Sequence, residues 1–429
     1  MSLAGMRNLL SQWFPPQPTY IEQHVPSQKG KVFIVTGANH GIGFELVKIL
    51  YATGARIYMA SRSKISELGM IANFRETCER AEKAIETITT ATPAPETPGT
   101  IVFLPFDLND LDSVKAAAAI FAQQEPKLHV LWNNAGSGAY RIEEGAKTKQ
   151  GFEPMVGMHC IAAQLFTHLL LPRLRAAAGD APKSSVRVVW TASFMAELST
   201  GDNGIDFDHL VEGTPDRALN YAVSKFGNWL LGREMASRYG SDNIVSVVQN
   251  PGNLKAGAYD GVPAFSMLFI TPFLYETKFG AYTELYAGLS PDISLENNGA
   301  YVIPWGRIRI DEDIPRKDIV KALKPEAEGG LGYTTKFWEW CEEQWKPFLY
   351  HLKMHNINAM RRVLITPYLS KHMGRRPDLH SSGATSGPDP AWRIGGITCS
   401  PVEEPEAILG RYLHSQKNYW HCRSRSQNT

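Results

Sequence analysis

Tyr221 and Lys225 stand four residues apart in Tyr221-Ala222-Val223-Ser224-Lys225. On a helix that spacing puts a phenol and an ammonium on one face. A nearby positive charge stabilises phenolate and draws a tyrosine down from its usual pKa of about 10. The phenol could then exchange a proton with a substrate oxygen near neutral pH. The same spacing is common on exposed helices, so its meaning depends on what else the chain brings. Upstream, the β-branched run at 187–191 ends in Ala192-Ser193, and downstream the run at 244–249 ends in Asn250-Pro251-Gly252. In a doubly wound parallel sheet, ligands gather at the carboxyl ends of the strands. Ser193 could there hold a substrate oxygen.

A second constellation lies near the start. Thr36-Gly37-Ala38-Asn39-His40-Gly41-Ile42-Gly43 joins the apolar run 31–35 to a helical run at 44–53. Gly37 lets the chain turn sharply. Gly41 removes bulk where a pyrophosphate would approach, and Gly43 lets the helix pack close to the sheet. The helix N-terminus offers free N–H groups and a positive dipole end to phosphate. Asn39, His40 and Ile42 complete this candidate dinucleotide loop. The next strand ends in Ser61-Arg62-Ser63. An acidic residue there would hold a ribose 2′-hydroxyl, whereas Arg62 suits a 2′-phosphate and so NADP. Asp107, after the third strand, could accept from an adenine amine. Asn133-Asn134-Ala135-Gly136 ends the fourth strand. Gly136 allows close approach to a cofactor ribose, Ala135 shares that turn, and the Asn133 amide could bind either backbone or cofactor. The backbone at Pro251-Gly252 could face a nicotinamide carboxamide, and Lys225 could bind the nicotinamide ribose.

These residues need a scaffold. Short apolar runs at 31–35, 56–60, 101–104, 128–132, 186–191 and 244–249 read as buried parallel strands. Helical runs lie between them, at 112–123 and 221–239 among others. Strict alternation predicts a single α/β domain, a Rossmann-like doubly wound parallel sheet. Residues 1–30 read as a leader with a short helix and an extended arm, 31–348 as the domain, and 349–429 as a basic, largely disordered tail. A helix is expected near 351–365, with 373–406 as loop. A charged helix is expected at 74–89, ahead of a Pro-rich loop.

The chain has 429 residues, 43% apolar and 20% charged, with a formal net charge of +1. That supports a large core and argues against bulk attraction to nucleic acid. Five scattered cysteines without a C-x-x-C pair indicate no disulfide framework and no metal site, so a reduced cytoplasmic setting is the default.

Thr36–Gly43, Asn133–Gly136, Ser193, Tyr221–Lys225 and Pro251-Gly252 occur in the order of the short-chain dehydrogenase/reductase family, which this chain resembles over about 30–255. The Ser193–Tyr221 gap and Ser224-Lys225-Phe226-Gly227-Asn228 resemble its retinol-dehydrogenase-like branch. Trp132-Asn133-Asn134 and Trp338-Glu339-Trp340-Cys341-Glu342-Glu343 resemble fungal members, many serving secondary metabolism. The resemblance implies Tyr221 as acid/base, Ser193 as orienting donor, Lys225 as modulator and Arg62 as NADP selector. It also exposes two departures. His159 stands where the family usually has an asparagine that holds a relay water; a modified relay, packing and loss of activity are three readings, the first favoured over the last. The family's threonine after Pro-Gly has no counterpart in Lys255-Ala256-Gly257.

The expected activity is NADP(H)-dependent interconversion of a ketone or aldehyde and an alcohol on a hydrophobic small molecule. The rival is a catalytically impaired dinucleotide-binding sensor or scaffold. Phe265, Met267, Leu268, Phe269, Ile270, Phe273, Leu274 and Tyr275 form a candidate apolar lid, with core or dimer contact as the alternative. The run 262–274 is too short to span a bilayer, and contact with a membrane surface is a minor reading. The family often forms homo-oligomers.

Overall fold

The computed structural model describes residues 3–62, 70–262 and 264–349, together with two short strands at 393–394 and 397–398. Met1–Asn358 forms one compact unit, so the leader belongs with the domain, and Ala359–Thr429 forms another. In the second unit, Arg393–Ile394 and Ile397–Thr398 pair antiparallel, inside a stretch read as loop. The helix expected at 351–365 and the rest of the tail lie outside the described residues.

The first unit opens with helix α1 (Leu3–Trp13). Strand β1 (Val32–Thr36) then leads through the glycine loop into α2 (Gly41–Tyr51). The alternation continues with β2 (Arg56–Ser61), α3 (Met70–Thr89), β3 (Thr100–Pro105), α4 (Leu111–Gln124) and β4 (Val130–Asn133). A long helical run follows, made of α5 (Pro154–Val156), a π-helical stretch (Gly157–Ala162) and α6 (Ala163–Ala178). It is apolar and long enough to cross a membrane, but 94% of its most apolar window is buried inside the fold.

Next come β5 (Val186–Thr191), the short α7 (Met195–Leu198), α8 (Arg217–Tyr239), β6 (Ile244–Gln249), α9 (Ala264–Ile270) and α10 (Thr277–Leu289). The unit closes with β7 (Tyr301–Ile303), β8 (Arg307–Arg309), α11 (Lys317–Leu323) and α12 (Tyr333–Trp345).

The sheet has eight strands in the order β3-β2-β1-β4-β5-β6-β7-β8. All neighbours are parallel except β7 and β8. Chain order reverses between β1 and β4, so a crevice opens beyond their carboxyl ends, the usual ligand position in such sheets. The strand interiors read as continuous apolar runs because helices cover both faces. β1 is buried throughout, and so are β5 and β6.

The central packing is aromatic. Trp132 on β4 meets Phe33 on β1 edge to face at 5.4 Å and donates its indole N–H to the Glu284 carbonyl of α10. Gly288 lets α10 lie against Trp132; a methyl group there would sit 2.1 Å from the indole ring. On the other face, α12 buries Phe337, Trp338, Cys341 and Trp345. Gln164 of α6 ties that helix down, accepting from the Trp345 indole at 2.8 Å and donating to the Trp338 carbonyl at 3.0 Å. The β7–β8 edge has no counterpart among the six runs read from the sequence, because three-residue strands show no periodicity.

Candidate active site

Two loops meet at the crevice. Gly37 adopts φ +70°, and a methyl group on it would lie 2.8 Å from Ala135 Cα. Glycine is needed there on both counts. Asn134 donates to the Thr36 carbonyl at 2.8 Å, while the Thr36 hydroxyl donates to the Trp132 carbonyl and accepts from the Ala135 amide. These bonds stitch the glycine loop to the end of β4. Asn133 points the other way: it is buried and donates to Thr167 of α6 at 2.9 Å. Of the two roles left open for its amide, the geometry shows contact with protein.

A cleft of about 160 Å³ opens over this junction. Gly37, Asn39, His40, Arg62, Asp107, Ala135 and Gly136 line it, as do Arg80 and Arg141. Gly41 has open space where a side chain would project. Ile42 packs behind the loop, near Gly280 of α10. Gly43 lies so close to Asn134 and the Gly37 carbonyl that a methyl group would come within 2.7 and 2.8 Å of them. Pro251 and Gly252 stand outside this lining. Gly252 has φ +91° and lies against Pro304.

The reactive residues stand outside this lining, with Lys225 adjoining it at Gly136. Asp216 caps α8, accepting from the amides of Ala218 and Leu219. That start brings Tyr221 towards Ser193, which follows β5, close enough for the serine hydroxyl to act on the phenol. Lys225 is buried one turn further on. It donates to the Thr191 carbonyl at 3.0 Å, and its Nζ lies 5.8 Å from the Tyr221 ring centre. A methyl group on Gly136 would lie 2.9 Å from His159 Nε2 and 3.3 Å from Lys225 Nζ. Gly136 is therefore where the glycine-loop cleft and the reactive group adjoin.

A short-chain dehydrogenase model matches residues 31–200. The chain is 47% identical over 353 residues to the short-chain dehydrogenase/reductase iacJ of Pestalotiopsis fici, covering 80% of this chain and 99% of that one. It is 41% identical over 355 residues to a short-chain dehydrogenase/reductase of Phomopsis amygdali, covering 81% and 99%. The chain belongs to the short-chain dehydrogenase/reductase family. Among solved structures, an uncharacterised protein of Mycobacterium paratuberculosis has the same fold, with a TM-score of 0.53 and 22% identity over 76% of this chain and 97% of that one. The family is one of oxidoreductases, and its fold binds a nicotinamide dinucleotide.

Set in this family, the electrostatics of the site run against the expected lowering of the Tyr221 pKa by Lys225, because burial outweighs it. Burial pushes the Tyr221 phenol above its ordinary value, and the nearby Ser193 hydroxyl only partly opposes this. Burial also draws Lys225 down to about 8, opposed by the Cys160 thiol and the Glu284 carboxyl. Desolvation by the packed core thus acts against both charged forms.

His159 sits in the π-helical stretch with both ring nitrogens engaged. Nε2 accepts from the Ser137 amide at 3.0 Å. Nδ1 must then carry the proton and donate to Ser224 Oγ at 2.8 Å. Ser224 donates onward to the Tyr221 carbonyl at 2.8 Å. Burial, with Lys225 nearby, holds the ring well below its usual pKa and so neutral. The site lacks the family's threonine, but Tyr259 is close enough to Tyr221 for the two phenols to interact, and burial pushes Tyr259 up to about 12.

Sequence reading missed Thr36, Asn134, Ser224, Arg80 and Arg141. Thr36, Asn134 and Ser224 lay inside quoted motifs, and only their hydrogen bonds distinguish them. Arg80 and Arg141 come from different elements and carry no motif. Arg141 pairs with Asp260 at 3.4 Å, which joins the loop after β4 to the loop after β6.

Proposed function

We propose that this chain is an NADP(H)-dependent oxidoreductase that interconverts a ketone or aldehyde and an alcohol on a hydrophobic small molecule. The observation that carries the reading is that the glycine-lined cleft reaches Lys225 at Gly136, one helical turn from Tyr221 and beside the end of β5, which Ser193 follows. The residues present fit a nicotinamide dinucleotide. A side chain is sterically barred at Gly37 and Gly136, and Arg62, Arg80 and Arg141 line the cleft near the end of β2. Arg62 is the residue proposed to favour a 2′-phosphate. The dinucleotide, when bound, supplies or accepts the hydride. In the reducing direction Tyr221 protonates the substrate oxygen. Ser193 donates to that oxygen as negative charge develops on it. Lys225 holds a positive charge beneath the phenol and orients it. An apolar substrate suits the aromatic segment 265–275.

A second reading, a dinucleotide-binding sensor or scaffold with impaired catalysis, draws support from one feature. His159 replaces the relay asparagine and spends both nitrogens on protein partners, so it has none left to order a water. The intact Ser193, Tyr221 and Lys225 favour the enzyme.

Calorimetric titration with NADPH and NADH at fixed salt tests the cofactor assignment. NADPH is expected to bind more tightly. Arg62→Ala should weaken NADPH roughly ten- to a hundredfold, the worth of a lost charge-assisted contact, and leave NADH nearly unchanged. Equal losses for both would remove Arg62 from the phosphate role.

A further inference from the structure

The leader helix α1 docks on the reactive side of the sheet, and one of its side chains reaches two loops of the site. Gln12 is 2% exposed. Its Nε2 donates to Glu197 Oε1 at 3.2 Å and to Asn8 Oδ1 at 2.8 Å, and its Oε1 accepts from Asn250 Nδ2 at 2.6 Å. Glu197 lies on α7, the turn that starts directly after Ser193. Asn250 immediately precedes Pro251-Gly252, and its own Oδ1 accepts from the Gly252 amide at 3.1 Å. One buried amide therefore joins the loop carrying Ser193 to the strand end carrying Pro251 and Gly252.

The joint is reinforced on every side. Asn8 donates to Glu197 Oε2 at 2.9 Å, and Arg309 of β8 pairs with the same carboxylate at 3.2 Å in a buried ion pair. Arg307 donates to the Ser11 hydroxyl and carbonyl. Tyr275, in the segment read as a lid, donates to the Trp13 carbonyl, and Phe273 packs on Trp13. A buried polar network with its members satisfied rigidifies what it connects. Met6 and Leu10, by contrast, are exposed on the same helix, so α1 is held largely by its polar face.

We propose that Gln12 is a positioning residue for catalysis: residues 3–13 act as a clip that fixes the spacing between Ser193 and the 250–252 loop. This rests on the oxidoreductase reading, in which Ser193 contacts the substrate oxygen and the 250–252 backbone faces the nicotinamide end. Small errors in such spacing are costly, because about 1 Å of misplacement can lower a rate by as much as a hundredfold.

The test uses the full chain with Gln12→Met, which keeps the length and apolar volume of the side chain and removes its hydrogen bonds. Menadione with NADPH is the activity probe. Expected are a fall in kcat of at least about tenfold, little change in NADPH affinity, and a larger isotope effect when the transferred hydrogen is deuterium. Amide exchange in 193–200 and 250–254 should speed up in the variant while exchange in β1 and β4 stays slow. Met6→Ser should match wild type in all these readouts. Exchange and kcat both unchanged in Gln12→Met would overturn the clip while leaving the oxidoreductase reading intact. A wild-type protein that turns over no carbonyl would sink that reading, and the exchange data alone would then decide whether Gln12 couples the two loops. If Gln12→Met loses its fold, Ser11→Ala with Arg307→Lys loosens the same helix more gently and is expected to show the same exchange pattern; slow exchange there would count against the clip.

Discussion

The two halves of the sheet build their parts of the site by different means. On the β1–β4 side, the loop that shapes the cleft is eight consecutive residues, Thr36 to Gly43, closed by short bonds to Asn134 and Ala135. On the β5–β8 side, the residues that fix the reactive loops come from far along the chain: Gln12 with Glu197 and Asn250, and Arg309 with Asn8. The first half is a local solution to backbone approach, and neither Gly37 nor Gly43 can be replaced without collision. The second is a solution to positioning, assembled from a leader helix and an edge hairpin that carry no motif.

Substitutions on either side should separate these two modes. The largest effect is expected for Tyr221→Phe, which removes the proton donor without touching the glycine loop: turnover should fall by about a thousandfold while calorimetric NADPH affinity stays within about twofold of wild type. Normal turnover would sink the acid/base assignment. His159→Asn should be intermediate. Asparagine matches the usual family residue, but here it would strand the Ser137 amide or the Ser224 hydroxyl, so a loss of about 1–3 kcal/mol in denaturant unfolding is expected, with no gain in kcat. A gain in kcat would show that the site still accommodates the relay water and that His159 impairs it.

The smallest effect concerns Glu284, beneath the site on α10. Its carboxyl accepts from Thr191 at 2.8 Å and Gln249 at 2.8 Å while Oε2 is buried without a hydrogen bond. Burial raises it from 4.5 to about 8. A raised folded value means that its contribution to stability is fully present below about pH 4.5 and is lost as pH rises towards 8. Glu284→Gln should therefore flatten the fall in melting temperature between pH 5 and pH 8 by a few degrees. Equal slopes in the two proteins would show that the carboxyl titrates normally.

Much of the fold is legible before any coordinates. Six apolar runs become the six long parallel strands because strands buried on both faces read as unbroken β-branched segments, and their boundaries agree within two residues. The β7–β8 edge is not legible, since Tyr301–Ile303 and Arg307–Arg309 are too short to show alternation. The expected helix at 74–89 is described over Met70–Thr89. In the site, Gly37, Arg62, Asp107 and Gly136 can be picked out by type and by place relative to a strand end. The same reading could not tell whether Asn133 faces protein or cofactor, because two adjacent amides at a strand end look alike until one is seen bonded to Thr167.

By itself the sequence determined the chemistry available: a phenol four residues from an ammonium, a hydroxyl at a strand end, and glycines where a dinucleotide would press against backbone. These follow from local spacing, and local spacing is written in consecutive residues. Tertiary structure alone decided the charge environment and the alignment. Burial moves Tyr221 up and Lys225 down, because desolvation depends on everything packed around a group and not on its neighbours in the chain. Gln12 meets Asn250 across 238 positions, because only the folded sheet brings a leader helix and the end of its sixth strand within hydrogen-bonding distance.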